Sequence, residues 1–188
     1  MARPRSDDKR EAILAAATTV IAARGLAAPT ALIAKEAGVA NGSLFTYFPT
    51  KTDLFSDLYI DLKTEMAASA MDGMPTDASL RAQLQHMWSG WVRWATSSPD
   101  KRRVLAQLIV ADEITPEARE AGHRIMSGVA ALMDRSRENG ALRAEPLSFV
   151  VGLISAMTDA TIDDMISNPA SADRHSAAAF DALWRVVG

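Results

Sequence analysis

PTALIAKEAGVANGSLFTYFPTKTDLF, from Pro29 to Phe55, is the stretch that decides how this chain folds. Ile33, Ala34 and Ala37 fall on one helical stripe with Leu32 at its flank, while Lys35 and Glu36 face outward. Gly38 follows at once, where a left-handed backbone ends a helix without a Cβ clash. Val39 is then free to turn inward and set the angle to a second short helix. That helix starts at Asn41 or its neighbour Ala40, Asn being a good N-cap. Leu44, Phe45 and Phe48 have the spacing of its buried side. Asn41, Gly42, Ser43, Thr46 and Tyr47 are left near its N-terminus or outer surface. Pro49 stops it, and Thr50 is placed to cap the next helix, which opens at Lys51-Thr52-Asp53. Two short helices about a glycine turn are how a small domain offers a helix to the major groove of DNA.

Working outward, the charge is unevenly spread. The chain of 188 residues has a net charge of −3, with 20 Lys and Arg against 23 Asp and Glu. Residues 1–51 nonetheless carry seven basic side chains against four acidic ones, and the remainder carries thirteen against nineteen. A basic head on an acidic body suits a chain that docks one end on phosphate. Upstream of the motif, Ala2-Arg3-Pro4-Arg5 is a short basic arm. Ser6 is in place to cap a first helix whose opening turn holds Asp7 and Asp8. Ile13, Ala17, Val20 and Ile21 line one face of that helix, and Gly25 stops it. Arg3 and Arg5 are candidates to follow a groove or backbone, against the plainer reading of a solvated terminus.

With these residues in view, positions 6 to 60 resemble the DNA-binding domain of TetR-type transcriptional regulators. Ile33-Ala34, Ala37-Gly38-Val39, Gly42-Ser43-Leu44, Phe48, Lys51 and Leu54 match that signature in register. The resemblance implies that Gly42 and Ser43 lie at the groove and that Lys51 reaches a phosphate. It also implies a phosphate contact near Thr30; the short or hydrogen-bonding residues Asn41, Thr46 and Tyr47, with Ala40 beside them, complete the candidate DNA-facing set by their place on the outer side of the helix. Phe45 stands where the family usually has a Tyr whose hydroxyl touches phosphate. Tyr47 stands where it often has His.

The rest of the chain reads as all-α. Hydrophobic residues make up 48%, and β-branched runs bounded by turn residues do not occur. With no cysteine, disulfides and thiol chemistry are excluded. The charged N-terminus argues against a signal peptide, and the longest apolar run, Phe149 to Met157, is too short to span a bilayer. A cytoplasmic location is expected. Six further helices are expected: Thr52 to Ala70, Asp77 to Thr96, one from Pro99, Thr115 to Asn139, Pro146 to Asn168, and one after Ala172. The reading is thus an N-terminal three-helix DNA-binding domain (1–51) and a C-terminal six-helix regulatory and dimerisation bundle (52–188).

In the helix after Pro146, Leu147, Val150, Val151, Ile154, Met157, Thr158, Ile162 and Met165 form a broad apolar face, wider than one side of a surface helix buries. Gly152, Ala156 and Ala160 repeat every fourth residue and allow close helix approach. The resemblance implies that the last two helices pair with those of a second copy. Val151, Gly152, Ala156, Ala160, Phe180 and Trp184 are accordingly the candidate homodimer interface, unless the first of these helices is simply a central core helix. A dimer also follows from DNA reading, since two recognition helices roughly 34–36 Å apart contact successive major grooves of a palindrome.

Trp88, Trp91 and Trp94, with Met87 beside them and Met126 and Met157 on other helices, are candidate pocket residues for a lipophilic or aromatic effector, or else simply core. Leu80, Leu84, Met87, Trp88, Trp91 and Ala95 define the inward stripe, with Trp94 at its margin. His86, His123 and Asp159 are further polar candidates. No catalytic or metal constellation is visible: the three histidines (His86, His123, His175) lie far apart, and Asp112-Glu113 and Asp163-Asp164 read as solvated pairs. No cofactor is expected. The function expected is therefore a non-enzymatic repressor that binds a palindromic operator as a homodimer and is released by a small molecule. The competing reading is a helical small-molecule-binding protein that keeps the helix-turn-helix only as scaffold.

Overall fold

A computed structural model describes the backbone from Arg5 to Gly188 and the side chains from Asp7 onward. Ten α-helices account for most of the described residues, and none of these residues forms a strand. They are α1 (Arg5–Arg24), α2 (Thr30–Glu36), α3 (Asn41–Tyr47), α4 (Lys51–Met71), α5 (Leu80–Ser97), α6 (Pro99–Ile109), α7 (Pro116–Ile125), α8 (Ser127–Ser136), α9 (Leu147–Ser167) and α10 (Ala172–Val187). A 3-10 turn, Pro169–Ser171, joins the last two.

Seven helices therefore follow α3, where six were expected. The single helix foreseen from Thr115 to Asn139 is interrupted at Met126 (φ −84°, ψ 1°), next to Ser127-Gly128, two weak helix formers. Its start is as expected: the Thr115 hydroxyl accepts a hydrogen bond from the Ala118 N–H at 3.2 Å, and Pro116 opens the helix. α5 starts at Leu80, three residues later than expected. Its N-terminal region is organised by the buried Gln83, whose amide donates to the carbonyls of Thr76 (3.0 Å) and Ala78 (2.8 Å). Those bonds hold Asp77 and its neighbours in a turn.

The chain groups into two compact units. One runs to Thr64 and takes in Ser98–Arg124; the other comprises Glu65–Ser97 and Ile125–Gly188. In the first unit α1 packs on both α2 and α6. Ile13, Ala17 and Ile21 of α1, Ile33 of α2, Leu44 of α3, Leu54 and Phe55 of α4, and Val104 and Leu108 of α6 are each fully buried. In the second unit α5 packs on α8 and α9, and α9 packs along α10. Its core includes Leu84, Met87, Leu132, Val150, Ile162 and Phe180. The buried hydroxyls of Thr18, Ser136, Thr158 and Thr161 donate to the carbonyl four residues back, as Thr158 does to Ile154 at 2.7 Å, whereas the buried Ser56 hydroxyl accepts from the Thr115 N–H at 3.3 Å. Among the described residues no buried side-chain nitrogen or oxygen is left unpaired, and no helix is long and apolar enough to cross a membrane.

Candidate nucleic-acid interface

The turn between α2 and α3 is built by backbone hydrogen bonds that the sequence order makes possible. Gly38 has φ +66°, the left-handed region that an L side chain resists. Its N–H reaches the Lys35 carbonyl at 3.1 Å, and the Val39 N–H reaches the Ala34 carbonyl at 2.9 Å. This pair of bonds is a Schellman motif, which satisfies the last carbonyls of α2 and turns the chain toward α3. Gly25 (φ +76°) ends α1 in the same backbone region, its N–H on the Ile21 carbonyl at 2.8 Å.

α3 begins one residue earlier than a cap at Asn41 would require. Ala40 is the extended cap residue (φ −65°, ψ 144°) and offers no side-chain bond, while Asn41 is already helical. Phe48, extended at φ −132° and ψ 95°, closes the helix because Pro49 bars the helical region to the residue before it. A reciprocal capping box then starts α4. The Thr50 hydroxyl accepts from the Asp53 N–H at 3.1 Å, and the Asp53 carboxylate accepts from the Thr50 N–H at 2.9 Å.

On α3, Leu44 and Phe48 are buried at 0% and 1% exposure, anchoring the helix in the unit's core. Phe45 is not with them. It is 39% exposed, which corrects the expectation that it completes the buried side. On a seven-residue helix the angle between Leu44 and Phe45 is enough to carry the second ring out of the core.

Ala40, Asn41, Gly42, Ser43 and Thr46 are all exposed, and Thr30, Tyr47 and Lys51 are partly so. The Thr46 hydroxyl points back to the Gly42 carbonyl at 3.4 Å, and the Lys51 ammonium lies 5.1 Å above the Phe55 ring. An added Cβ at Gly42 would meet nothing within 4 Å, so the protein's own packing does not require glycine there. Arg3 lies outside the described residues, as does the side chain of Arg5. Ser6 falls inside α1 rather than before it, and its side chain is also outside the described set.

The candidate effector residues are dispersed by burial. Met87, Trp88 and Trp94 are buried, while Trp91, Met126 and Met157 keep part of their surface outside. Trp94 therefore belongs to the core rather than to its margin, with its indole N–H 3.4 Å from the Glu65 carboxylate. Trp88 donates to the Ser176 hydroxyl at 3.0 Å and meets the Phe180 ring at 6.2 Å between centroids. A mixed-polarity cleft of about 350 Å³ lies between α5 and the α9–α10 junction, lined by Gln85, Ser89, Arg93, Met165 and Asp173 among others. None of the six candidate effector residues lines it. His86 is engaged with the Asp72 carbonyl at 2.8 Å, His123 is exposed at the end of α7, and Asp159 is exposed on α9.

Of the candidate interface residues, Gly152, Ala156 and Ala160 are exposed along one side of α9, and Phe149 (51%) and Leu153 extend the same strip. Val151 and Trp184 are partly exposed. Phe180 is inside its own unit at 1% exposure, so its ring is committed to Trp88 and to Arg81, whose guanidinium lies 5.4 Å away.

A Schellman turn, an exposed short helix and a capped helix behind it define the class: a helix-turn-helix DNA-binding protein. Residues 13–58 match the family model of bacterial regulatory proteins, tetR family. The solved structures point the same way along the whole chain. A tetR family transcription regulator from Shewanella sp. PV-4 is 25% identical with a TM-score of 0.82, over 94% of this chain and 96% of that one. One from Marinobacter aquaeolei VT8 is 21% identical with a TM-score of 0.85, over 97% of each chain. The TetR-like regulator LfrR from Mycobacterium smegmatis, in complex with proflavine, is 20% identical with a TM-score of 0.67, over 94% of this chain and 95% of that one. Residues 13–58 thus match the tetR-family DNA-binding domain, and the chain as a whole has the fold of these solved regulators.

Proposed function

We propose that the protein is a cytoplasmic, non-enzymatic repressor that binds a palindromic operator as a homodimer and is released by a small lipophilic or aromatic molecule. The observation that carries the DNA-reading part is Gly42. A glycine in a helix is unfavourable, nothing inside the protein needs it, and it sits among exposed Asn41, Ser43 and Thr46. Missing side-chain bulk at that point serves an approach from outside, and the edge of a base or a phosphate fits it. Lys51 and Thr30 then hold the backbone, while Asn41, Ser43 and Thr46 carry base preference. Arg3 and Arg5 extend the same contact along the duplex.

The division of labour proposed is residues 1–51 for DNA and 52–188 for dimerisation and effector. A second copy of this chain covers the α9 strip of Phe149, Gly152, Leu153, Ala156 and Ala160, with Val151 and Trp184 at its edges; exposed apolar surface of this kind is what an isologous contact removes from water. Trp91, Met126 and Met157 are the members of the effector group that can meet a ligand without opening the core. LfrR's complex with proflavine supports an aromatic ligand class. Effector binding favours one of two arrangements, and α4, which passes from one unit to the other at Thr64–Glu65, transmits the difference.

Selection of bound duplexes from a random pool tests this reading. A palindromic consensus, displaced by planar aromatic compounds, is expected. Ala156→Arg should convert a dimer to a monomer in sedimentation experiments and abolish operator binding. A protein that ignores every duplex at low salt yet binds such compounds would be a ligand-binding bundle with a vestigial head.

A further inference from the structure

We infer that Phe45 reads the C5-methyl group of a thymine in each half-site. The inference rests on the DNA-binding reading above and deepens it. Phe45 is 39% exposed on a helix whose other large apolar residues, Leu44 and Phe48, are buried. Its ring has no donor or acceptor, so it can neither bind a phosphate nor pair with a polar base edge. On α3 it shares a face with Asn41 and Gly42, one turn earlier. Helical aromatic side chains lean toward the N-terminus over that preceding turn. At Gly42 there is no side chain in the way, and Asn41 is exposed beside it. The ring is thus carried on the same surface as the polar residues that face the bases.

Of the groups along the floor of the major groove, the thymine C5-methyl is the apolar one, and aromatic or methyl-bearing side chains recognise it by excluding water. A cytosine offers only a hydrogen at that position, so the contact separates T from C. A 5-methylcytosine carries the same methyl group and would satisfy the same ring.

The test uses the full-length protein and the duplex it selects, with each thymine in turn replaced by deoxyuridine, which lacks only the methyl. Fluorescence anisotropy should find one thymine per half-site whose replacement weakens binding roughly three- to tenfold, the scale of one buried methyl group. Phe45→Ala should bind more weakly and lose that sensitivity, while Phe45→Tyr, which keeps the ring, should retain it. Cytosine placed at the same position should bind poorly and recover on C5-methylation. Indifference of the unaltered protein to every uracil, or equal sensitivity in Phe45→Ala, overturns the inference and leaves operator binding intact. Failure to bind any duplex would remove the DNA-binding reading itself, and this inference with it.

Discussion

Arg10 of α1 and Asp57 of α4 are joined by a 2.8 Å ion pair, and the same guanidinium lies 5.7 Å from the centre of the Phe48 ring. One side chain thereby ties the first helix both to the residue that ends α3 and to the helix that follows. Both partners are about two-fifths exposed, at 42% and 41%, so the pair is screened. Arg10→Ala is expected to lower stability by about 1 kcal/mol, adding a surface-type ion pair to a cation–π contact. A double-mutant cycle with Asp57→Ala, read by urea denaturation, separates the two parts.

Gly42→Ala should move stability and DNA affinity in opposite directions. The new methyl group meets open space inside the protein, so the helix gains about 0.5–1 kcal/mol. The same methyl obstructs the groove, and affinity should fall on the order of tenfold. A raised thermal midpoint with unchanged affinity would show that Gly42 has no role at the duplex.

Lys51, proposed above as a phosphate contact, rests with its ammonium over the Phe55 ring. Lys51→Ala is expected to weaken all duplexes about equally and to reduce the slope of log affinity against log salt by about 1 per protomer. A changed sequence preference instead would place Lys51 among the base readers.

Gly90 of α5 lies where α4 crosses. A Cβ there would stand 1.9 Å from the Ser69 carbonyl oxygen and 2.9 Å from its carbon, both backbone atoms that cannot swing aside. Gly90→Ala should therefore destabilise the fold by about 3 kcal/mol, at or beyond the upper end of overpacking costs. Denaturant midpoints of this variant and of Gly42→Ala should shift in opposite directions.

The α9–α10 junction carries a pH signature. His175 hydrogen-bonds to the Asp164 carboxylate, and Asn168 donates to its other oxygen at 2.9 Å. These contacts, His175 first, hold the Asp164 carboxyl below its ordinary value. A depressed carboxyl favours the folded state above the unfolded value of about 4 and loses that contribution as pH falls through the folded one. Below pH 4 the thermal midpoint of the native protein should therefore fall more steeply than that of Asp164→Asn. Parallel acid limbs would mean the contacts do not persist in solution.

Local chemistry was legible from residue order. Gly38 after Ala37, Pro49 after Phe48 and the Thr50–Asp53 pair specify where helices end and begin, because each acts within one turn of backbone. Phe45 departs from the sequence expectation because adjacent helical positions differ by about 100° and a seven-residue helix has too few turns to show which of the neighbours Leu44 and Phe45 faces inward. Trp94 is buried rather than marginal for a related reason: several helices pack around α5, and no single apolar stripe describes its buried surface.

The amino-acid order alone determined the helix-turn-helix, its glycine turn and its exposed polar residues, since caps, prolines and left-handed glycines act through neighbours a few positions away. Only the tertiary structure decided that α6 packs on α1, that Gly90 is required by the Ser69 backbone, that Phe180 turns into its own unit, and that Phe45 stands in the open. Each of those depends on atoms distant in sequence competing for the same volume, and periodicity along one helix does not say which neighbour will fill it.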